Sequence, residues 1–193
     1  MSKEFFQKPL KWIYKHFKED TSHMLIVTGS LGWILSSAAQ LGAIINNKKI
    51  SNEKKSFLLP QEFMDGLINV GTFLFTTLVF KKGVEKLIKT GKILPKSVRT
   101  YLDSHKDLYK DKVGKFDFNL DTVLANDKAN APYETYKSYK NFVTTMGTVG
   151  ASVLACNVIT PVLRNNTASK VQKSYIELQN NTPTYPKNTG MRI

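Results

Sequence analysis

The chain has 193 residues and a formal net charge of +13. This length suits one domain, or a few membrane helices with a modest part outside the membrane, and we do not expect two independent cores. Its single Cys156 excludes an internal disulfide. Only three of the 28 basic residues are Arg, and diffuse lysine charge suits an anionic lipid surface better than base recognition. We therefore expect anionic lipids as the polyanionic partner and keep nucleic acid as a second choice.

Residues 1–20 are predicted to form an amphipathic interfacial helix. Their large apolar residues, Phe6, Leu10, Ile13 and Phe17, recur at spacings of three and four, as on one face of a helix. The lysines of this segment fall mostly on the other faces, where they would contact anionic lipid: Lys8, Lys11, Lys15 and Lys18. A helix packed on a partner protein or on the rest of the chain explains the same pattern equally well.

Three apolar stretches rich in Gly, Ala, Ser and Thr cover residues 22–45, 63–80 and 142–163. As helices they would be about 36, 27 and 33 Å long, close to the roughly 30 Å of a hydrocarbon core. The sequence therefore predicts an all-α fold: a small polytopic helical membrane protein with two to three transmembrane helices. In the alternative, a soluble basic helical protein with a structural or nucleic-acid-associated role, these stretches are buried core helices. The mean hydropathy of −0.26 favours that alternative.

Residues 22–45 are predicted to form transmembrane helix 1. Small residues at intervals of three or four let helix backbones approach closely within a membrane. We expect helix packing through two such series, one on the first stretch and one on the third: Gly29, Gly32, Ser36 and Ala39, and Gly147, Ala151 and Ala155. The two series would pack on each other or on another copy, so a homo- or hetero-oligomer is expected. A secretory signal is the alternative for the first stretch, but the long aromatic segment before it looks structured.

Residues 63–80 are the least secure of the three stretches and are predicted to be either transmembrane or re-entrant. The stretch is short and contains Asp65. Lysines just beyond its end would reach anionic headgroups by extending their alkyl chains: Lys81, Lys82, Lys86 and Lys89.

Residues 91–140 are predicted to form a basic helical connector of two or three short helices, because they hold too many apolar residues for a disordered linker. Residues 142–163 are predicted to form transmembrane helix 3, with a bend at Asn157, Thr160 and Pro161. A polar helix and a mobile tail are expected over residues 164–193.

The distribution of cations predicts the topology. With three spans, the N-terminus and the connector share one side and carry nineteen Lys and Arg residues, against nine on the other side. The positive-inside rule then places the N-terminus and the connector on the cytoplasmic or an equivalent side.

No pattern indicates catalysis, a cofactor or a metal. The nearest imitation is the start of a calcium loop at Asp117, Asn119 and Asp121, but Thr122 and Lys128 occupy positions that need Gly and Glu. We therefore expect a non-enzymatic integral membrane protein, acting as a membrane-embedded structural subunit, a scaffold or a membrane-perforating component. A lysis or membrane-penetration protein of a phage-like, AT-rich genome fits this class.

Overall fold

The computed structural model describes residues 11–17, 20–109, 111–127, 132–167 and 170. Every regular element of these residues is helical, which confirms the all-α prediction. Residues 11–17 form a short helical segment. The named helices are α1 (Thr21–Asn46), α2 (Asn52–Lys89), α3 (Lys96–Ser104), α4 (Lys106–Tyr109), α5 (Leu120–Asn126) and α6 (Tyr133–Leu154). A π-helical turn, Ala155–Ile159, continues α6, and helical residues extend to Thr167.

Three of the described helices are long and apolar enough to cross a membrane: α1, α2 and the continuous helix Tyr133–Thr167. They contain the three predicted apolar stretches. The insecure stretch, residues 63–80, is the middle of α2, an uninterrupted helix of 38 residues. At about 1.5 Å per residue α2 is about 57 Å long, so it is long enough to extend beyond a hydrocarbon core at both ends.

Helices α1 and α2 are joined by a short loop and pack antiparallel. Their contacts keep one register along the whole interface, where pairs of residues lie at matching levels: Asp20 with Lys81, Gly29 with Phe73, and Ser37 with Gly66. A constant register over this length indicates that the two helices lie side by side with closely aligned axes, rather than crossing at a single point.

Helix α6 completes a three-helix bundle. The continuous helix Tyr133–Thr167, of which α6 is the first part, runs antiparallel to α2, since Gly147 contacts Val84 in the C-terminal half of α2 and Arg164 pairs with Asp65 in its N-terminal half. It runs parallel to α1, and the Asn141 side chain exchanges two hydrogen bonds of 3.2 Å with Thr21. The start of α1, the end of α2 and the start of α6 therefore lie together, and we call this the basic end of the bundle. The opposite end, with the α1–α2 loop, is the far end.

The connector covers the basic end and has its own apolar core. Helix α2 ends at Lys89. Two residues later Gly91 has a φ of +81°, which suits a residue without a side chain, and Lys92 N–H donates to the Leu87 carbonyl at 3.0 Å. This reversal turns the chain back over the bundle. The core joins the end of α2 to the connector helices and the start of α6: Ile88, Val98, Tyr101, Leu102, Phe118, Leu120, Leu124 and Tyr136.

The π-helical turn lies where the sequence predicts a bend. Pro161 has no N–H to donate to the carbonyl four residues earlier, which interrupts a regular α-helix. The chain widens here instead: Thr160 N–H reaches the Ala155 carbonyl, and the Asn157 side-chain amide donates to the Val153 carbonyl at 3.0 Å. A local change in helix type thus accommodates the proline.

Candidate functional site

The interior of the bundle is rich in small hydroxyl residues. The buried ones are Ser22, Ser30, Thr72, Thr76, Thr77, Thr144, Thr148 and Thr160. Four of these hydroxyls, on Ser30, Thr77, Thr144 and Thr148, donate to carbonyls of their own helices; that of Thr77, for example, donates to the Phe73 carbonyl at 2.6 Å. Because these bonds are local, the hydroxyls need no polar partner on a neighbouring helix. Small side chains of this kind allow close helix packing without a large apolar core.

Large apolar side chains lie on the outside of the same helices. In the apolar windows of α1, α2 and Tyr133–Thr167 only 11%, 28% and 22% of the residues are buried. The exposed side chains include Leu31, Ile34, Leu35, Phe63, Leu67, Phe75, Val79, Phe80, Phe142, Met146, Val149, Val153, Val158 and Val162. A water-soluble bundle shows the opposite arrangement, with its large apolar residues inside and a polar face outside.

Two of the predicted packing glycines make close contacts, and both contact α2. A Cβ atom at Gly29 would lie 2.5 Å from Cζ of Phe73, and one at Gly147 would lie 3.0 Å from Cγ2 of Val84. Gly29 and Gly147 therefore face α2 rather than each other. Such approaches are possible only because glycine has no side chain.

The other predicted packing residues separate into two groups. Ala151 and Ala155 are buried in the bundle. Gly32, Ser36 and Ala39 are exposed, and nothing lies within 4 Å of a Cβ built at Gly32. The small-residue series on α1 is thus used inside the chain only at its start, and its remainder faces outward.

Lysines surround the basic end, but they differ in their surroundings. Lys11 and Lys15 of the short helical segment are exposed, as are Lys82 and Lys86 of α2. Lys8 and Lys18 lie outside the described residues. Lys89 is half-buried and lies 3.5 Å from a carboxylate oxygen of Asp121.

Lys81, which we expected at the lipid headgroups, is instead buried and paired with Asp20. Its ammonium donates to Oδ2 of Asp20 and lies 3.7 Å from a carboxylate oxygen of Glu85. The sequence alone did not indicate this pair, because 61 residues separate its members. A lysine after an apolar stretch looks the same whether it extends to lipid or turns inward.

Asp20 also caps α1. Its Oδ1 accepts hydrogen bonds from the Ser22 hydroxyl at 2.7 Å and from His23 N–H at 2.9 Å. Partial burial disfavours its charged form, but the hydrogen bonds from Lys81, Ser22 and His23 and the Lys81 charge outweigh that cost, so the pKa of Asp20 lies below its usual value. One carboxylate therefore stabilises the start of α1 and holds it against α2.

Asp121 forms a second charged cluster at the basic end. Lys140 donates to both of its carboxylate oxygens, at 2.9 and 2.7 Å, and the Tyr136 hydroxyl donates at 2.7 Å. Burial opposes ionisation, yet the bonds from Lys140 and Tyr136 and the charges of Lys140 and Lys89 lower the pKa of Asp121. An open cavity of about 420 Å³ adjoins this cluster and is lined by both signs of charge.

The residues that imitated a calcium loop are used differently. The Asn119 side chain caps α5 by accepting from Asp121 N–H at 3.1 Å, and Asp121 is engaged with Lys140 and Tyr136. Among the described residues, no group of three His, Cys, Asp or Glu side chains is placed to hold a metal ion.

An ion pair that sequence reasoning missed joins α2 to the helix Tyr133–Thr167, about 20 Å along α2 from its start at Asn52. Nη2 of Arg164 lies 2.7 Å from Oδ2 of Asp65, and 99 residues separate the two in the chain. The sequence contains one indication of this pair. Each residue lies near the end of an apolar stretch, and the antiparallel topology brings these two ends to the same level of the bundle.

Comparison with protein-family models, curated proteins and solved structures found no match to this chain. We therefore infer its function from the bundle and its basic end alone.

Proposed function

We propose that the chain is a non-enzymatic integral membrane protein in which α1, α2 and the helix Tyr133–Thr167 cross the bilayer as a bundle and serve as a membrane-embedded structural subunit or scaffold. The observation that carries this proposal is the distribution of side chains, with small hydroxyl residues inside and large apolar residues outside. Each exposed Leu, Val or Phe would forgo about 1.5 to 3 kcal/mol of burial in water. Lipid removes that cost, because acyl chains cover the exterior.

The spacing of the charges along the helices supports the same proposal. Asp65 and Lys81 lie sixteen residues apart on α2, which corresponds to about 24 Å. Lys140 and Arg164 lie twenty-four residues apart on the third helix, which corresponds to about 36 Å. These lengths bracket the roughly 30 Å of a hydrocarbon core, and the long Arg and Lys side chains adjust the difference.

In the proposed orientation the basic end lies on the cytoplasmic or an equivalent side. The short helical segment and the connector are both at this end, and lysine-rich segments are retained on that side during insertion. The exposed Lys11, Lys15, Lys82 and Lys86 would then contact anionic headgroups.

Extraction and labelling test the crossings together. The full chain should stay with membranes in alkaline carbonate, and its release would overturn membrane embedding. In a Cys156→Ala background, single cysteines at Asp111→Cys, Lys48→Cys and Asn166→Cys would be labelled with an impermeant maleimide from either face of sealed vesicles. We expect Asp111→Cys on one face and the other two on the opposite face. Labelling of Lys48→Cys and Asp111→Cys from one face would show that α2, which lies between them, does not cross.

Self-association would make the subunit a scaffold or a membrane-perforating component. Its proposed contact is the exposed face of α1 that carries Gly32, Ser36 and Ala39, because small residues let a second helix approach. Gly32→Leu should reduce crosslinking between copies without an internal clash, since nothing lies within 4 Å of a Cβ there. Ile34→Ala, a change at an exposed large residue on a different face of α1, is the control. Equal crosslinking of Gly32→Leu and the unsubstituted chain would reject this contact.

A further inference from the structure

Phe116 is the most exposed large apolar side chain of the described residues, at 79%. It lies between α4 and α5, in residues 111–119, which we call the Phe116 loop. The loop is held in place on both sides of this residue. Gly114 N–H donates to the Thr90 carbonyl at 2.6 Å, and Phe118 is buried in the connector core. The exposure of Phe116 is therefore imposed by a fixed backbone.

The ring of Phe116 lies over the lipid-facing side of α2. The ammonium of Lys86 is 3.1 Å from the ring centroid. At about 100° per residue, Phe75, Val79 and Lys86 share one face of α2, and both Phe75 and Val79 are exposed. The ring thus continues the apolar exterior of the bundle at the level of Lys86, about 10 Å beyond Val79 along the helix.

Lysines outnumber the acidic groups around Phe116, although Glu85 and Asp117 line the same cavity beside the ring. Lys82 and Lys86 are exposed on α2, and Lys112 and Lys115 are exposed in the loop itself. An aromatic ring among cations matches the boundary of an anionic leaflet, where rings lie at headgroup depth and cations meet phosphates. A water-exposed loop has no such need for a fixed, outward phenyl ring.

We propose that the Phe116 loop is a membrane anchor: the Phe116 ring enters the boundary between headgroups and acyl chains of an anionic phospholipid leaflet, and Lys82, Lys86 and Lys115 bind the lipid phosphates. This inference rests on the proposed membrane embedding of α2. It adds a second attachment, through the connector, which orients the cap on the leaflet.

Fluorescence quenching by lipid tests the anchor. In a Trp12→Phe/Trp33→Phe background, single tryptophans at Phe116→Trp, Asp111→Trp and Val153→Trp would be reconstituted as full chains into vesicles of phosphatidylcholine, with and without phosphatidylglycerol. Asp111 is an exposed residue of the same loop, and Val153 is exposed on the bundle. Lipids brominated near the headgroup should quench Phe116→Trp most, and deeply brominated lipids should quench Val153→Trp most. Aqueous iodide should quench Asp111→Trp most.

The outcomes separate the anchor from membrane embedding. Phosphatidylglycerol should strengthen the lipid quenching of Phe116→Trp, and Lys82→Gln/Lys86→Gln should return it to the value in neutral vesicles. The anchor alone would be overturned if iodide quenched Phe116→Trp as strongly as Asp111→Trp while brominated lipid still quenched Val153→Trp. Iodide quenching of Val153→Trp would overturn the embedding. Protection of Phe116→Trp from both iodide and brominated lipid would indicate a protein contact and also overturn the anchor.

Discussion

Two glycines one helical turn apart on α1 should respond oppositely to the same substitution. A Cβ at Gly29 would lie 2.5 Å from Cζ and 2.9 Å from Cε1 of Phe73, whose ring is buried, whereas a Cβ at Gly32 meets nothing within 4 Å. Overpacking costs about 1 to 3 kcal/mol, and replacing Gly by Ala within a helix returns up to about 1 kcal/mol. We expect Gly29→Ala to lower the free energy of unfolding by about 1 kcal/mol and Gly32→Ala to raise it by up to about 1 kcal/mol.

In a Trp12→Phe background, unfolding in mixed micelles by titration with dodecyl sulfate, followed by Trp33 fluorescence, would measure the difference. A gap of about 2 kcal/mol corresponds to a change of about thirtyfold in the folded-to-unfolded ratio. Phe73→Leu shortens the opposing side chain, so the cost of Gly29→Ala should shrink in that background while the effect of Gly32→Ala stays constant. Equal effects of the two Gly→Ala substitutions would refute the α1–α2 register.

Charged groups provide three further predictions. Lys81→Met should lower the free energy of unfolding by about 1 to 3 kcal/mol, which is less than for a fully buried pair, because the Asp20 side chain is 45% exposed. In the same micelle titration, Asp20→Asn/Lys81→Met should cost less than the sum of its single variants. Additive costs would reject the coupling. The pKa values of Asp20 and Asp121 are lowered in the folded state. These two carboxylates therefore stabilise the folded state at a pH above their usual pKa of 3.8, and this contribution is lost as the pH falls through their folded-state pKa values. Thermal unfolding scans should therefore show a loss on acidification that Asp121→Asn reduces, and an unchanged acid dependence in that variant would contradict the assignment. Arg164→Gln should lower the free energy of unfolding by about 1 to 2 kcal/mol because it leaves the mostly buried Asp65 carboxylate without its partner. The double variant Asp65→Asn/Arg164→Gln should recover part of this loss. No recovery would mean that the pair contributes nothing.

Patterns along the chain predicted the helical class and the positions of the three long helices. Residues 63–80 seemed too short for a secure span because Asp65 and Lys81 limit the apolar stretch. In the structure the same residues are the middle of one continuous helix. Sequence reasoning underestimated the length of this helix because it took the flanking charges as helix ends. The backbone hydrogen bonds of a helix continue through charged residues.

Predictions for single side chains were less complete. The spacing of small residues identified Gly29 and Gly147 as packing positions, but their partner is α2, whose bulky Phe73 and Val84 carry no small-residue signal. The basic character of residues 81–89 was evident, yet Lys81 turns inward to Asp20 while Lys82 stays exposed. Adjacent lysines on a helix point about 100° apart, so their environments depend on which face the neighbours cover.

The pattern of residues along the chain is enough to predict three long apolar helices and the concentration of lysines on the segments that meet at one end of the bundle. These properties are local: helical hydrogen bonds join residues four apart, and hydropathy is a sum over neighbours. Three features appear only in the folded molecule: which helix faces meet, which charges pair across 61 or 99 residues, and the position of Phe116 over the exposed face of α2. The register between helices depends on shapes and charges distant in the chain, and a one-dimensional pattern does not encode it.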